Sequence, residues 1–364
     1  MGSSALQSAM RTIRAAFAGR GNPYVPPRPD QPAKSNSGGP VADRELLSLL
    51  RPGVEVSERN GFFVHQSWTP SGVTDQFLED ADVYHQRYFD RLDFLGLIER
   101  CLAVAEIDRA APLAILDIGS GGGSSVYALA KALPAARVVA SDISPQLLGK
   151  LVAYAASRAE FKDRISAFCF DLHVPFFRED SFDLIFGAAI LHHLLDPLAA
   201  LRHVAGSLRP GGKIVLVEPI EAGCLLLTSI YEEILRLYLL RGEKEHPIAR
   251  LMLAQRIDIH ARLGVPAAKP WTHLLDDKWV FDRPYLADLA AQLGCRSVAV
   301  YPAQEDLTHL YEGCFRSLLA DAGIGGVEIA PDVIEVVRRF DREMSSDIKT
   351  LLCPTGVIVF ERGQ

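Results

Sequence analysis

The feature that most constrains the fold is a regular alternation of apolar runs and helical patterns between Pro112 and Pro219. The runs PLAILDIG, ARVVASDIS, RISAFCFDL, FDLIFGAAI and GKIVLVEP have the apolar character of buried parallel strands. The segments between them, such as SSVYALAKAL and PQLLGKLVAYAASRA, have helical spacing. Strands that alternate with helices in this way form a parallel sheet with helices on both faces. The sequence therefore predicts a doubly wound α/β core over residues 111–219.

The alternation is interrupted after Pro219, where two long stretches have helical rather than strand character. The chain divides into a flexible basic tail (1–40), an N-terminal helical cover (41–110), the core (111–219), a helical insertion (220–282), a return to the sheet (283–303), a second helical insertion (304–352) and a last strand (353–364). The predicted fold is a doubly wound, Rossmann-like α/β sheet of seven mostly parallel strands. Because both insertions leave from the edge where such sheets bind ligands, we expect them to form a cap over the active site.

Composition narrows the class of protein. The net charge of −7 argues against nucleic acid as the main partner, because phosphate binding needs clustered lysine and arginine. The six cysteines are scattered without metal-ligand spacing, so we expect reduced thiols, no metal site and a cytoplasmic location. No apolar run is long enough to predict a membrane span. The basic, proline-rich first 40 residues predict a flexible tail, with an organelle-targeting peptide as the alternative.

A glycine-rich turn, LDIGSGGGSS, follows the first core strand and opens a helix. Such a turn lets the backbone approach a ligand closely and aims N–H groups at it. The dinucleotide-binding pattern GxGxxG would need glycine at 124, where the chain has Ser124. Asp117 places a carboxylate where a pyrophosphate would be repelled, and it suits a ligand that carries an ammonium group. The turn therefore favours an amino-bearing cofactor, with a nicotinamide-dependent oxidoreductase as a disfavoured alternative.

Two further aspartates end the next two strands. Asp142 lies about twenty residues past the glycine turn, where a carboxylate can bind both hydroxyls of a ribose. Asp171 ends the third strand, where an acceptor atom can meet an adenine amino group. Each aspartate taken alone is also explained as a capping or solvated turn residue. Together with the glycine turn, the three carboxylates predict a cofactor site at the carboxyl edge of the sheet.

The order and spacing of these stretches resemble the class I S-adenosylmethionine-dependent methyltransferases, in particular the small-molecule group with an LHH-type fourth motif. The matching segments are ILDIGSGGG, VVASDIS, FCFDL, FDLIFGAAILHHLLDP and SLRPGGKIVLVEP. The resemblance implies S-adenosyl-L-methionine as cofactor and S-adenosyl-L-homocysteine as product. It implies a cofactor site formed by Asp117, Gly119, Ser120, Gly121, Gly123, Asp142, Ile143, Asp171, Leu172, Gly187 and Ala188.

Within that site, the resemblance implies a division of roles. The glycines of the turn line the methionine part of the cofactor, and Asp142 holds the ribose. Asp171 and Leu172 flank the adenine, while Gly187 and Ala188 lie along the cofactor's edge. Ala188 departs from the polar residue that many relatives have, so a hydrogen bond common in the family is absent or comes from elsewhere.

The resemblance leaves the methyl acceptor open. His192 and His193 follow the fourth strand and Glu218 ends the fifth, so each is a candidate general base. The alternative for the histidines is a role in shaping the cofactor pocket. Candidates for an aromatic acceptor pocket lie in the covering segments: Trp68, Tyr84, Tyr88 and Trp271. Their alternative is ordinary packing of the cover onto the core.

The sequence as a whole predicts a methyltransferase that methylates an O, N or C atom of a small metabolite. More narrowly, we expect this metabolite to be hydrophobic or aromatic and to belong to specialised metabolism. The partner is then a small-molecule substrate, and homodimer formation is left open. One alternative is a protein of this fold that binds S-adenosylmethionine for a cyclisation, a rearrangement or regulation. Another is a protein- or RNA-modifying methyltransferase, which the net charge of −7 and the expected enclosed cap disfavour.

Overall fold

The computed structural model describes residues 45–68, 94–161, 163–264, 269, 271–272 and 275–363 of the 364-residue chain. The strands are β1 (Val56–Arg59), β2 (Phe62–His65), β3 (Ala114–Ile118), β4 (Arg137–Asp142), β5 (Ile165–Cys169), β6 (Phe182–Ala188), β7 (Leu208–Pro219), β8 (Cys295–Pro302) and β9 (Thr355–Arg362). The helices are α1 (Phe94–Val104), α2 (Ser124–Ala132), α3 (Pro145–Ala156), α4 (Pro197–Ala205), α5 (Glu221–Leu240), α6 (Pro247–Arg262), α7 (Arg283–Gln292), α8 (Leu310–Asp321), α9 (Pro331–Glu343) and α10 (Ser346–Leu351). The predicted tail, Tyr84 and Tyr88 lie outside the described residues.

The strands form one sheet in the order β1-β2-β5-β4-β3-β6-β7-β9-β8. Strands β2 to β7 pair in parallel along this order, whereas β9 runs antiparallel between β7 and β8. From β3 the chain first moves outward to β4 and β5 and then returns to place β6 on the other side of β3. Such a switch point opens a crevice at the carboxyl ends of β3 and β6, which is where open α/β sheets bind ligands.

The predicted α/β, Rossmann-like sheet is confirmed, but the count of seven strands is wrong because the sheet has nine. The two additional strands, β1 and β2, come from the segment 41–110 that was expected to be a helical cover. They form a hairpin whose turn residues, Asn60 and Gly61, both have left-handed φ angles of 51° and 88°. Asn-Gly between two short strand-like runs is a strong hairpin signal, so this part of the sheet was readable from the sequence.

Helices cover both faces of the sheet. On one face, buried side chains of α1, α2 and α3 pack with alternate strand residues such as Val215 and Val217. On the other face, α4 and α7 pack with the intervening residues such as Ile214 and Leu216. The period of two along β7 thus explains why its sequence is apolar throughout.

The two helical insertions pack against each other. Side chains of α5, α6, α8 and α9, including Tyr238, Met252, Phe315 and Val337, share a hydrophobic cluster of their own. The sequence predicted both insertions but did not predict their contact, because they are separated by α7 and β8. Among the described residues, no helix combines the length and the apolarity that crossing a lipid bilayer needs.

Gly223 brings the first insertion onto the core. A Cβ atom at this position of α5 would overlap the backbone carbonyl of Cys353. We expect Gly223→Ala to lower the free energy of unfolding by about 1–3 kcal/mol, because backbone atoms cannot move aside as a side chain can. Urea unfolding of the purified protein measures this change.

A matched control for Gly223→Ala is Gly313→Ala in α8, where an added Cβ would meet nothing within 4 Å. The free energy of unfolding of Gly313→Ala should be higher by about 0.5–1 kcal/mol, since alanine suits a helix interior better than glycine. Equal effects of the two substitutions would contradict the proposed close packing at Gly223.

Glu312 of α8 binds two arginines, Arg316 of the same helix and Arg338 of α9. Its carboxylate accepts hydrogen bonds from Nε of Arg338 at 2.8 Å and Nε of Arg316 at 2.9 Å. The bond from Arg338, assisted by Arg316, lowers the pKa of Glu312 to about 2 from the ordinary 4.5. A carboxyl group whose pKa is lower in the folded state stabilises the fold above pH 4.5 and loses that contribution as pH falls towards 2.

Glu312→Gln should therefore destabilise the protein at pH 7 and lose most of this effect at pH 3. Urea unfolding of both proteins across that range measures the difference. The exposed pair of Glu335 and Arg342 offers a control, Glu335→Gln, whose effect we expect to be smaller because solvent screens exposed pairs. A pH-independent difference for Glu312→Gln would contradict the assigned role.

Candidate functional site

The glycine-rich turn lies between β3 and α2 at the carboxyl edge of the sheet. Gly119 has a φ of 67°, and a Cβ there would lie 2.6 Å from Cγ1 of Ile190. The turn thus needs glycine both for its left-handed backbone and for its close approach to the segment after β6. Gly121 and Gly123 also have positive φ angles, of 52° and 100°.

Asp117 lies beneath this turn with its carboxyl group buried. One oxygen, Oδ2, accepts a hydrogen bond from the Ser125 hydroxyl at 2.6 Å. The other, Oδ1, is buried and has no hydrogen-bond partner in the part of the chain that the structure describes. Burial raises the pKa of Asp117 to about 8, against the effect of the Ser125 bond. A buried oxygen without a partner is costly for the fold, so Asp117 has unused capacity to bind a donor group.

Asp142, the predicted ribose ligand, holds the turn from the neighbouring strand. Its carboxylate accepts hydrogen bonds from the Gly121 N–H and the Ser144 N–H, each at 2.8 Å. Ser120 donates from its hydroxyl to the Ser141 carbonyl at 2.9 Å, which fixes the turn on β4. Ile143 follows β4, and its carbonyl accepts a weak bond from the Cys169 thiol.

The remaining predicted cofactor residues end β5 and β6. Asp171 is engaged with His173, whose Nδ1 lies 2.8 Å from its Oδ1. Leu172 is buried beside it. A Cβ at Gly187 would lie 2.8 Å from Cγ1 of Ile118, so strands β3 and β6 pack closely here. Ala188 ends β6 opposite Val217 of β7. The structure thus brings the predicted cofactor residues to one edge of the sheet, and their contacts with a cofactor stay a prediction.

The two histidines lie in a short 3₁₀ turn, Leu191–His193, after β6. The chain enters it through Ala189, whose left-handed φ of 54° is uncommon for alanine. The buried carboxylate of Glu218 accepts hydrogen bonds from the N–H groups of Ile190 at 3.0 Å and Leu191 at 2.6 Å. The same carboxylate lies 2.5 Å from Nδ1 of His192. Glu218 therefore both caps the turn and orients the His192 ring.

Asp277, which the sequence analysis missed, lies on the other side of the histidines. Its carboxylate is 3.6 Å from Nε2 of His192 and 3.4 Å from Nδ1 of His193. It belongs to the insertion 220–282, whose end also contacts the turn through its backbone: the Lys278 N–H donates to the His192 carbonyl at 2.7 Å. An acidic pair in a polar stretch carries no sequence signal of such a contact, because the contact is made across the fold.

The histidines differ in their proton affinity. Burial opposes the charged form of His192, but the carboxylates of Glu218 and Asp277 outweigh it and raise the pKa to about 9. Burial and the charge of His192 lower the pKa of His193 to about 4. At neutral pH the resting site thus contains one charged and one neutral imidazole.

Two of the predicted acceptor residues, Trp68 and Trp271, lie among the described residues. Trp68 is half-buried and packs on the α1 face of the sheet, and its indole N–H has no hydrogen-bond partner among the residues that the structure describes. Trp271 donates its indole N–H to the Ala261 carbonyl of α6. Trp279 is fully buried and donates to the Leu194 carbonyl at 2.7 Å, so it fastens the insertion to the core. The roles of Trp68 and Trp271 in binding a substrate stay predictions.

A cavity of about 740 Å³ opens on the α1 face, beside the carboxyl end of β7. Its lining includes Leu97 and Arg100 of α1, Val217 of β7, and Ala303 and Gln304 after β8. Val217 pairs with Ala188, so the cavity begins next to the predicted wall of the cofactor site.

Residues 116–214 match a family model described as a methyltransferase domain. The demethylmenaquinone methyltransferase of Clavibacter sepedonicus is 36% identical over 156 residues, which are 41% of this chain and 58% of that protein. The malonyl-[acyl-carrier protein] O-methyltransferase of Halorhodospira halophila is 28% identical over 131 residues, 35% of this chain and 43% of that protein. The chain therefore spans about half the length of these curated relatives.

Among solved structures, the phosphoethanolamine N-methyltransferase 2 of Haemonchus contortus in complex with S-adenosyl-L-methionine aligns with a TM-score of 0.47 and 12% identity, over 81% of this chain and 61% of that one. The matched residues include the glycine turn and the central parallel strands of the sheet. Residues 116–214 of this chain are therefore similar to methyltransferase domains.

Proposed function

We propose that the protein transfers the methyl group of S-adenosyl-L-methionine to a small molecule and releases S-adenosyl-L-homocysteine. The observation that carries the proposal is the buried Oδ1 of Asp117, which finds no hydrogen-bond partner among the described residues and lies under the glycine turn. A carboxylate oxygen of this kind fits the amino group of the cofactor's methionine part. S-adenosyl-L-methionine, when bound, supplies an electrophilic methyl group on a positively charged sulfur.

The residues around Asp117 fit the rest of such a cofactor. Within the turn, the N–H groups of Ser120, Gly121 and Gly123 bond to the Ser141 carbonyl, the Asp142 carboxylate and the Ser120 carbonyl, which fixes the backbone next to the proposed cofactor. Asp142 holds that turn through Gly121 and keeps lone pairs for ribose hydroxyls. In our proposal Asp171 and Leu172 flank the adenine, and Gly187 and Ala188 border the cofactor.

The acceptor is proposed to be small because the cavity beside Val217 has the volume typical of small-molecule sites. Leu97, Val217 and Ala303 give one part of it apolar walls, which suit the hydrophobic or aromatic portion of a molecule. Charged and polar side chains line another part: Glu99, Arg109, Gln304 and Glu305. Arg100 belongs to this polar lining, with its Nε donating to the Pro302 carbonyl. The two named relatives act on malonyl-[acyl-carrier protein] and demethylmenaquinone by their names, so they do not narrow the acceptor to one class.

We assign to His192 and Glu218 the removal of the proton that the acceptor loses. Glu218 fixes the tautomer of His192 from Nδ1, which directs Nε2 away from the sheet. An acceptor that takes the place of Asp277 at Nε2 also removes one of the two charges that hold a proton on the ring. His192 then releases its Nε2 proton to solvent and can accept the acceptor's proton, and His193 lies beside it.

The insertions are proposed to cover this site, because the end of the first insertion already contacts the histidine turn through Lys278 and Trp279. Closing a site over the reacting groups excludes water and holds them in line. A homodimer, a cytoplasmic location and a role in specialised metabolism stay predictions.

The proposal is tested first by thermal unfolding with S-adenosyl-L-homocysteine and with NAD. At 100 times its dissociation constant, a ligand of the folded state adds about 2.7 kcal/mol, which shifts the melting temperature by a few degrees. We expect S-adenosyl-L-homocysteine to produce this shift and NAD to produce none. Stabilisation by NAD alone would refute the cofactor assignment.

Incubation with cofactor labelled in its methyl group and a panel of small apolar acceptors tests the transfer itself. We expect label in an organic-extractable product. Label that stays wholly on the cofactor with every acceptor would instead favour a non-methylating role of the same cofactor site.

A further inference from the structure

We propose that His192, His193 and Asp277 form a binding site for a divalent transition metal of the zinc type. The ligand atoms of these three residues all lie within 4.8 Å of one another. No cysteine takes part, and Asp277 is far from the histidines in sequence. Spacing along the chain therefore could not indicate this site.

The distances fit the proposed metal. Zinc binds histidine nitrogen and carboxylate oxygen at about 2.1 Å in tetrahedral geometry, which separates neighbouring ligand atoms by about 3.4 Å. Asp277 Oδ1 lies 3.4 Å from Nδ1 of His193 and 3.6 Å from Nε2 of His192. A carboxylate bound directly to either ring by a hydrogen bond would come closer than this. Two histidines and one carboxylate also leave coordination positions for water or a substrate oxygen.

Glu218 supports His192 in the way that carboxylates commonly support metal-binding histidines. The buried Glu218 carboxylate lies 2.5 Å from Nδ1 of His192, on the side of the ring opposite Asp277. Carboxylates in this position fix the ring and make the other nitrogen a better ligand. On Asp277 itself, Arg262 lies 3.4 Å from Oδ2, which orients Oδ1 towards the histidines.

The charges around the site also favour a divalent cation. Three carboxylates and one cation surround the histidines: Glu218 lies against His192, and Arg262 pairs with Asp258 and Asp277. With both histidines neutral, these groups sum to −2, which one divalent ion neutralises. Binding releases the proton on Nε2 of His192 to solvent, whereas the proton that His193 donates from Nδ1 to the Asp276 carbonyl moves to Nε2 of the same ring, so both histidines bind as neutral imidazoles. Asp277 has 43% of its side chain exposed, so an ion can reach it from water.

The test is a titration of the untagged, full-length protein, stripped with EDTA, with Co²⁺ as the probe. Co²⁺ held by nitrogen and oxygen ligands in a distorted tetrahedron absorbs visible light more strongly than the hydrated ion. We expect one equivalent to bind with this signature and Zn²⁺ to displace it. His193→Gln and Asp277→Asn should each weaken binding by at least about 10-fold.

The control is His260→Gln, which removes an exposed histidine of α6 and should leave the titration unchanged. Circular dichroism establishes that each variant is folded, and two independent ligand variants keep the test decisive if one of them is not. No visible signature, or binding that neither ligand variant weakens, would overturn the proposal.

A consequence for activity rests on the proposed function. A metal on Nε2 of His192 occupies the lone pair that proton removal needs, so Zn²⁺ should inhibit methyl transfer and EDTA should restore it. The titration does not depend on activity, which keeps the two proposals separable. Full methyl transfer with the metal bound would contradict the role given to His192 and would leave the binding result standing.

Discussion

Replacing Glu218 by glutamine is expected to lower kcat by about 10²- to 10⁴-fold, the range that a positioned acid–base group contributes. The substitution keeps the size of the side chain and one oxygen that can accept from Ile190 and Leu191. Its amide nitrogen, however, cannot accept a hydrogen bond from Nδ1 of His192, which the carboxylate contacts at 2.5 Å. The ring loses both its orientation and the charge that strengthens it as a base.

Two measurements and one control variant separate this role of Glu218 from simple capping of the turn. The affinity for S-adenosyl-L-homocysteine should change little, and kcat should be measured well below the melting temperature because a buried carboxylate also stabilises the fold. Glu221→Gln is the matched control, since Glu221 begins α5 close by in the chain and bonds only to the Gly264 N–H among the partners described. If kcat of Glu218→Gln stays within about threefold of the unchanged protein, Glu218 is a capping residue alone.

Replacing Asp117 by asparagine should weaken S-adenosyl-L-homocysteine binding by at least about 30-fold, because truncating one partner of a buried charge pair costs about 2–5 kcal/mol. Asparagine has nearly the same shape and still accepts from the Ser125 hydroxyl. What it lacks is the negative charge under the glycine turn. Isothermal titration calorimetry at pH 8 measures the loss.

The pH dependence of S-adenosyl-L-homocysteine binding tests the role of Asp117 more directly than the affinity at a single pH. Because burial raises the pKa of Asp117 to about 8, its carboxyl group must lose a proton before it can pair with an ammonium group at neutral pH. Affinity should therefore fall as pH decreases below 8, by up to about tenfold per pH unit. Asp117→Asn should remove this dependence.

Ser125→Ala is the companion variant for Asp117. The Ser125 hydroxyl lowers the pKa of Asp117 by donating to Oδ2. Its removal should shift the fall in affinity to higher pH without abolishing binding. An affinity of the unchanged protein that is constant between pH 6 and 8 would contradict the pairing of Asp117 with the cofactor's amino group.

The parts of the protein that sequence analysis predicted are those encoded locally. The strand beginning at Ala114, the glycine turn and the helix after it form one continuous stretch, so their order indicates their geometry directly. The start of α4 is encoded locally as well: the Asp196 carboxylate accepts from the Ala199 N–H at 2.9 Å, and Pro197 occupies the first position of the helix. The hairpin at Asn60 and Gly61 was equally local and was overlooked.

The histidine pair shows which contacts local sequence predicts and which contacts depend on the tertiary structure. The sequence placed His192 and His193 after a strand of the sheet and Glu218 at the end of the next one, which is enough to bring them to the same edge. The sequence contained no sign of the contact with Asp277. This residue follows α5 and α6, and the position of these helices depends on their packing against α8 and α9. Contacts of this kind depend on where long helices end.

By itself, the sequence determined the parallel core, the glycine turn and the carboxylates at the strand ends, because apolar periodicity and turn chemistry act over a few residues. Only the tertiary structure decided that Asp117 keeps an oxygen without a partner among the described residues and that Asp277 faces both histidines. It also decided that the cavity opens beside Val217. These features arise where distant segments meet, and their distances and burial follow from packing that no local pattern encodes.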